Sequence, residues 1–300
     1  MIIEFRVAGG FAGFTCGEDH RSFITSEGDP HCVVNVHYGQ VPDVDLGPQV
    51  FHSGGQWSLH SRDGMYQVPI TSPVWGPRPY RLAIFDHSFR TGDLYVDNST
   101  YPGMELTQGI TDPGGKGTLI DPLVYPLDEV LVVNLLAREG GINIHACGVE
   151  LDGWGLAFTG TSGTGKSTTA RIWQKRGVTI LSDDRLILRK KHYGYWVYGT
   201  PWHGEAALSC AHGVPLERLY FLVQARENCA RKISQSEAAA RLLVRCFPTF
   251  YDSQGMESTL RTIGEVCRTV PTYELGFVPN ESLLDYLDGL HAAALTAGRH

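Results

Sequence analysis

Residues 154–185 read WGLAFTGTSGTGKSTTARIWQKRGVTILSDDR, and three kinds of local structure are legible in that order. Residues 156–159 form a short apolar run that suits a buried strand. Gly160, Gly165, Lys166 and Ser167 occupy the fixed positions of G-x-x-x-x-G-K-[ST]. Residues 167–175 (STTARIWQK) suit a helix. In such a loop, glycines let the backbone curl until successive N–H groups point inward at phosphate oxygens. The following helix adds its positive N-terminal end. The expected phosphate-binding residues are therefore Gly160, Thr161, Ser162, Gly163, Thr164, Gly165, Lys166, Ser167 and Thr168. Lys166 would reach the β- and γ-phosphates and the Ser167 hydroxyl would ligate Mg²⁺.

The flanking sequence extends the α/β reading. Residues 127–138 (LDEVLVVNLLAR) read as a mostly buried helix ended by Gly140-Gly141. Residues 142–151 and 155–159 read as strands joined by a tight Asp152-Gly153 turn. Further strands are expected at 178–181, 186–188, 195–198, 219–223 and 272–277. Helices are expected at 235–246, 257–268 and 281–294. The first 126 residues differ: short β-prone pieces at 2–7, 32–36, 57–60, 80–85 and 93–96 are punctuated by Gly, Pro, Asp and Ser. The expected organisation is a β-rich N-terminal domain over 1–126 and a mixed α/β phosphate-loop domain over 127–300.

Composition narrows the partners. The chain has 300 residues, enough to bury a sizeable core, and a formal net charge of −7. That charge argues against a bulk electrostatic grip on nucleic acid or an anionic membrane. The seven cysteines are odd in number and lack C-x-x-C spacing, so neither a zinc site nor a disulfide framework is expected. With no signal-like N-terminus and no long apolar run, the expected setting is the cytoplasm. Histidines 20, 31, 37, 52, 60 and 87 match no metal-ligand spacing and read as polar surface.

Three features surround the loop. Asp183 and Asp184 end the apolar run at 178–181. Two adjacent carboxylates at a strand end suit one Mg²⁺ ligand and one general base, or else a solvated turn. His145 lies in the strand before the loop hairpin, where a lone histidine is more often a core or edge residue. Residues 199–205 (GTPWHGE) crowd two glycines, a proline, a histidine and a carboxylate into one loop. There Glu205 would complete the metal shell and His203 would contact a substrate phosphate, or the loop is a structural turn with Trp202 packed inward.

The run IHACGVELDGWGLAFTGTSGTGKSTTARIWQKRGVTILSDDRLIL, residues 144–188, resembles the catalytic domain of HPr kinase/phosphorylase. His145, the glycine loop, Arg176-Gly177 and the run 182–185 fall in that family's order, and phosphoenolpyruvate carboxykinase is the wider fold relative. The resemblance implies an ATP- and Mg²⁺-dependent kinase that phosphorylates a hydroxyl. The acceptor would be a serine of a peptide or protein, or a small alcohol. Lys166 and Ser167 would serve phosphate and metal. Asp183 and Asp184 would divide metal and base roles between them, and His145 would support the reaction centre. The resemblance also implies a tendency to form homo-oligomers. The family's Glu-bearing signature segment is replaced by GTPWHGE, its later Arg-bearing loop has no legible counterpart, and residues 1–126 do not look like its regulatory domain. A second reading is a nucleotide-binding sensor or scaffold that lacks transfer activity.

Overall fold

A computed structural model of the chain describes residues 1–8, 16–74, 76–97, 110–111, 118–119 and 121–297. The chain divides into two compact units. The first comprises Met1–Arg138 with Thr249–Ser253, and the second comprises Glu139–Pro248 with the chain from Gln254 onward.

The first unit is built on a seven-stranded sheet of β1 (Ile3–Val7), β2 (Cys32–Gly39), β3 (Gln49–His52), β4 (Ser58–Arg62), β5 (Met65–Ser72), β6 (Gly76–Asp86) and β7 (Thr91–Asp97). Its order is β1-β2-β7-β6-β5-β4-β3, with β1, β2 and β7 parallel and the remaining neighbours antiparallel. A one-turn helix, α1 (Glu18–Arg21), and a two-stranded pair, β8 (Ile110–Thr111) and β9 (Thr118–Leu119), complete its described elements before α2 (Leu127–Glu139). Strand β2 alternates buried and half-buried residues, so Cys32, Val34 and Val36 share one face. That face meets Leu127, Val130, Leu131 and Leu135 of α2 in a single apolar cluster. The helix that the sequence places at the head of the second region thus contributes to the core of the first. Asn134 of the same helix donates to the Tyr251 hydroxyl at 2.7 Å, which holds the returning 249–253 segment.

The second unit carries an eight-stranded mixed sheet: β10 (Gly141–Leu151), β11 (Trp154–Thr159), β12 (Thr179–Ser182), β13 (Arg185–Lys191), β14 (Gly194–Tyr198), β15 (Gly213–Gln224), β16 (Cys229–Lys232) and β17 (Thr272–Phe277). Two long strands organise it. The first half of β10 pairs with β13, and its second half pairs with β11 and β12. The start of β15 pairs with β14, and the rest lies parallel to β11 and β17. Helices cover both faces. On one, Ala238 and Leu242 of α4 (Gln235–Leu243) and Ile263 and Val266 of α5 (Ser253–Thr269) join Ile144, Ala157, Leu219 and Phe221. On the other, Ala170 and Trp173 of α3 (Lys166–Lys175) and Leu283 and Leu287 of α6 (Ser282–Ala297) join Val149, Phe158 and Leu275. A sheet buried on both faces needs continuous apolar strands, and residues 219–222 (LYFL) are all buried. No helix among the described residues is long and apolar enough to cross a membrane.

Candidate functional site

The site forms where the buried strand β11 releases the chain into the 160–165 loop. Thr159 donates from Oγ1 to the carbonyl of His145 at 2.8 Å, which fixes the loop's start against β10. Thr164 closes the turn by donating from Oγ1 to the Thr161 carbonyl at 2.7 Å. Gly163 and Gly165 have φ of 78° and 108°, backbone that side chains with a Cβ rarely adopt. At Gly165 a Cβ would also lie 2.5 Å from Cζ of Phe277. Gly165→Ala is therefore expected to destabilise the second unit by about 1–3 kcal/mol, read by denaturant unfolding.

Lys166, the first residue of α3, is 7% exposed. Its Nζ donates to the carbonyls of Gly160 and Thr161, each at 3.2 Å, so the ammonium lies folded over the loop. Burial pulls its pKa below the ordinary lysine value, and the Asp184 carboxylate opposes that shift. Thr161, Ser162 and Gly163 are exposed, whereas Ser167 and Thr168 are half-buried at the start of the helix.

The two aspartates part company. Asp183 is 1% exposed, and its carboxylate accepts backbone N–H groups from Gly204 at 2.8 Å, Ala206 at 2.9 Å and Leu208 at 3.3 Å. It organises the 204–208 loop from beneath. Gly204 belongs to that design, since a Cβ there would sit 2.9 Å from Asp183 Oδ2. Asp184 faces the other way, into a cleft of about 420 Å³ lined by His145, Gly160, Thr161, Ser162, Arg185 and residues 244–247. Its Oδ1 lies 3.2 Å from Nδ1 of His145, and its Oδ2 lies 3.4 Å from Nε of Arg185. The His145 hydrogen bond, ahead of the Arg185 and Lys166 charges, holds its carboxyl below the usual aspartate value although burial opposes this.

The structure thus brings together His145, Asp184 and the start of the loop, and gives Asp183 to a neighbouring turn. Glu205 is exposed on that turn, where its carbonyl accepts from Nη2 of Arg171 at 2.9 Å. His203 is likewise exposed. Among the described residues, no three His, Cys, Asp or Glu side chains gather as metal ligands, so Asp183, Asp184 and Glu205 do not form one carboxylate shell.

Two arginines of the cleft escaped the sequence reading. Arg185 closes the 182–185 run on which the resemblance partly rests, but its type and spacing assign it no role. Arg245 falls inside the helix expected at 235–246. The helix ends at Leu243, and residues 244–247 instead run beside β10. His145 N–H donates to the Arg245 carbonyl at 2.8 Å, and Phe247 N–H donates to the Asn143 carbonyl at 3.0 Å. Nε of Arg245 is buried without a partner, and burial ahead of the nearby Arg241 charge pulls its pKa down. Its Nη1 donates to the Arg241 carbonyl, so one edge of the guanidinium is held by the end of α4.

The chain is similar to known proteins over part of its length. A stretch of 68 residues is 40% identical to the HPr kinase/phosphorylase of Lactobacillus acidophilus. It covers 22% of this chain and 21% of that protein, so the match spans about a fifth of the curated relative. The solved Hpr(Ser) kinase/phosphatase from Coxiella burnetii aligns with 51% of this chain and 98% of its own, at 13% identity and a TM-score of 0.32. The chain belongs to the family described as SynChlorMet cassette protein ScmC, whose model matches residues 125–277.

Proposed function

We propose that this protein is an ATP- and Mg²⁺-dependent kinase that transfers the γ-phosphoryl group to a hydroxyl of a peptide, a protein or a small alcohol. The observation that carries the reading is that His145 and Asp184 face the Gly160–Ser162 end of the glycine loop across one cleft. A nucleotide triphosphate fits the residues present. The loop's exposed backbone and the Lys166 ammonium would hold its phosphates. The Ser167 hydroxyl offers a hard oxygen donor of the kind Mg²⁺ prefers, and Mg²⁺ keeps several waters, so no ring of three carboxylates is needed. Bound Mg²⁺ would supply charge neutralisation between the phosphates.

The chain's own residues would do the rest. Asp184, with His145 on its Oδ1, would orient the acceptor hydroxyl and receive its proton. Arg245, which lines the cleft, would face charge that develops on the transferred group. We assign acceptor selection to the β-rich first unit. Asp183 would act indirectly, by holding the 204–208 loop.

The test is transfer from γ-labelled ATP with Mg²⁺ into a cell extract separated into protein, peptide and small-molecule pools. Label in one pool with wild type, absent with Asp184→Asn, is the expected result and names the acceptor class. Tight nucleotide binding with no pool labelled would overturn the kinase reading in favour of a nucleotide sensor.

A further inference from the structure

We propose that Arg185 is the positioning residue of the cleft: its guanidinium, packed on the aromatic rings of Trp202 and Phe247, orients the Asp184 carboxylate. The inference rests on the kinase reading above, and it concerns how Asp184 is aimed.

The β10–β13 register places Arg185 directly opposite His145. Side chains of directly opposed residues emerge on one face of the sheet, so His145 and Arg185 reach the same carboxylate from two sides. His145 Nδ1 takes Oδ1 at 3.2 Å and Arg185 Nε takes Oδ2 at 3.4 Å. Each carboxylate oxygen thus faces a different cationic or donor group, which favours one orientation. The guanidinium is itself held. Its Cζ lies 4.2 Å from the centre of the Phe247 ring and 5.4 Å from that of Trp202.

Both rings hang on fixed backbone. The Trp202 carbonyl accepts from Ser182 Oγ at 2.9 Å, and Phe247 N–H donates to the Asn143 carbonyl at 3.0 Å. One cation therefore joins the strand end that carries Asp184, the 199–205 loop and the 244–247 wall. Only arginine has the chemistry for this. Its plane offers a π-face to a ring while its N–H groups donate in plane to a carboxylate. An ammonium has no plane, so it cannot lay a face on a ring while donating in plane to a carboxylate.

The experiment compares steady-state transfer and thermal unfolding for wild type, Arg185→Lys, Phe247→Leu and the double variant. Arg185→Lys is expected to lower kcat about 10–100-fold, the usual consequence of losing a supporting partner, with KM for nucleotide unchanged. Phe247→Leu is expected to lose part of that rate with an unfolding midpoint close to wild type. The double variant is expected to lose no more than Arg185→Lys, because both changes release the same guanidinium. Wild-type kcat in Arg185→Lys, or losses that multiply in the double variant, would overturn the positioning role alone. Absence of transfer by the wild type would overturn the kinase reading, and the inference with it.

Discussion

Asp184→Asn is expected to lower phosphoryl transfer about 10³-fold while leaving the fold intact, and Asp183→Asn is expected to do the reverse. The two residues are adjacent and chemically identical, so the contrast isolates geometry. Asp184 faces the cleft, and its neighbours His145 and Arg185 are both donors toward a carboxylate. An asparagine oxygen still accepts one of those contacts, so little stability is lost. The proton acceptor and the negative charge are lost outright. Asp183 is 1% exposed and its carboxylate receives three backbone N–H groups. Asparagine offers one oxygen to those donors and turns an NH₂ toward the rest. Leaving donors of a charged acceptor unsatisfied costs about 3 kcal/mol. For a unit of this size that lowers the unfolding midpoint by roughly 6–12 °C. Transfer rate and thermal unfolding, measured on both variants, check the pair. Equal loss of activity with equal stability in the two would contradict the division of roles drawn from the structure.

Asp183 and Asp184 lie in the bend between β12 and β13, where no strand period applies, and their roles are set by what each meets there. The pair is legible in the sequence; which carboxylate meets the 204–208 backbone and which meets the cleft depends on tertiary contacts. Other parts were legible for plain reasons. The helix α3 and the strands β11 and β17 have strong apolar patterns, and the glycine loop has a fixed spacing. Strand β15 is legible only over 219–223, because residues 213–218 alternate buried and half-buried positions, the first three of them in the ladder with β14, and look like loop. Strand β16 (CARK) is four residues long, mostly exposed and polar, with no alternation to betray it. Strand β5 carries Pro69 in its middle, which disguises it as a turn. Arg245 was hidden for a different reason. Helical periodicity runs through residue 246, and only the pairing of Cys246 with Ile144 pulls residues 244–247 out of the helix and against β10. That is a tertiary contact, and no local pattern announces it.

Lys166→Met is expected to abolish nucleotide binding while sparing the empty protein. Lys166 Nζ now donates to the carbonyls of Gly160 and Thr161 at 3.2 Å each. Methionine removes those two bonds but keeps the buried stem, and it also removes a buried charge that desolvation already disfavours. These terms oppose each other, so the unliganded protein is expected to unfold within about 1 kcal/mol of wild type. Phosphate binding has no such compensation. The ammonium is the loop's own charge, and on the scale of one lost oxyanion-hole donor its removal costs about 10²–10³-fold. Lys166→Arg does not restore it, because a planar fork cannot fold back over two carbonyls that converge on a single point donor. The measurement is thermal unfolding with and without ATP and Mg²⁺. At a hundred times Kd, wild type gains about 2.7 kcal/mol of stability from the ligand, and the methionine variant is expected to gain almost none at the same concentration. A methionine variant that ATP stabilises as strongly as wild type would mean that the glycine loop is a structural turn and that the nucleotide, if bound, is held elsewhere.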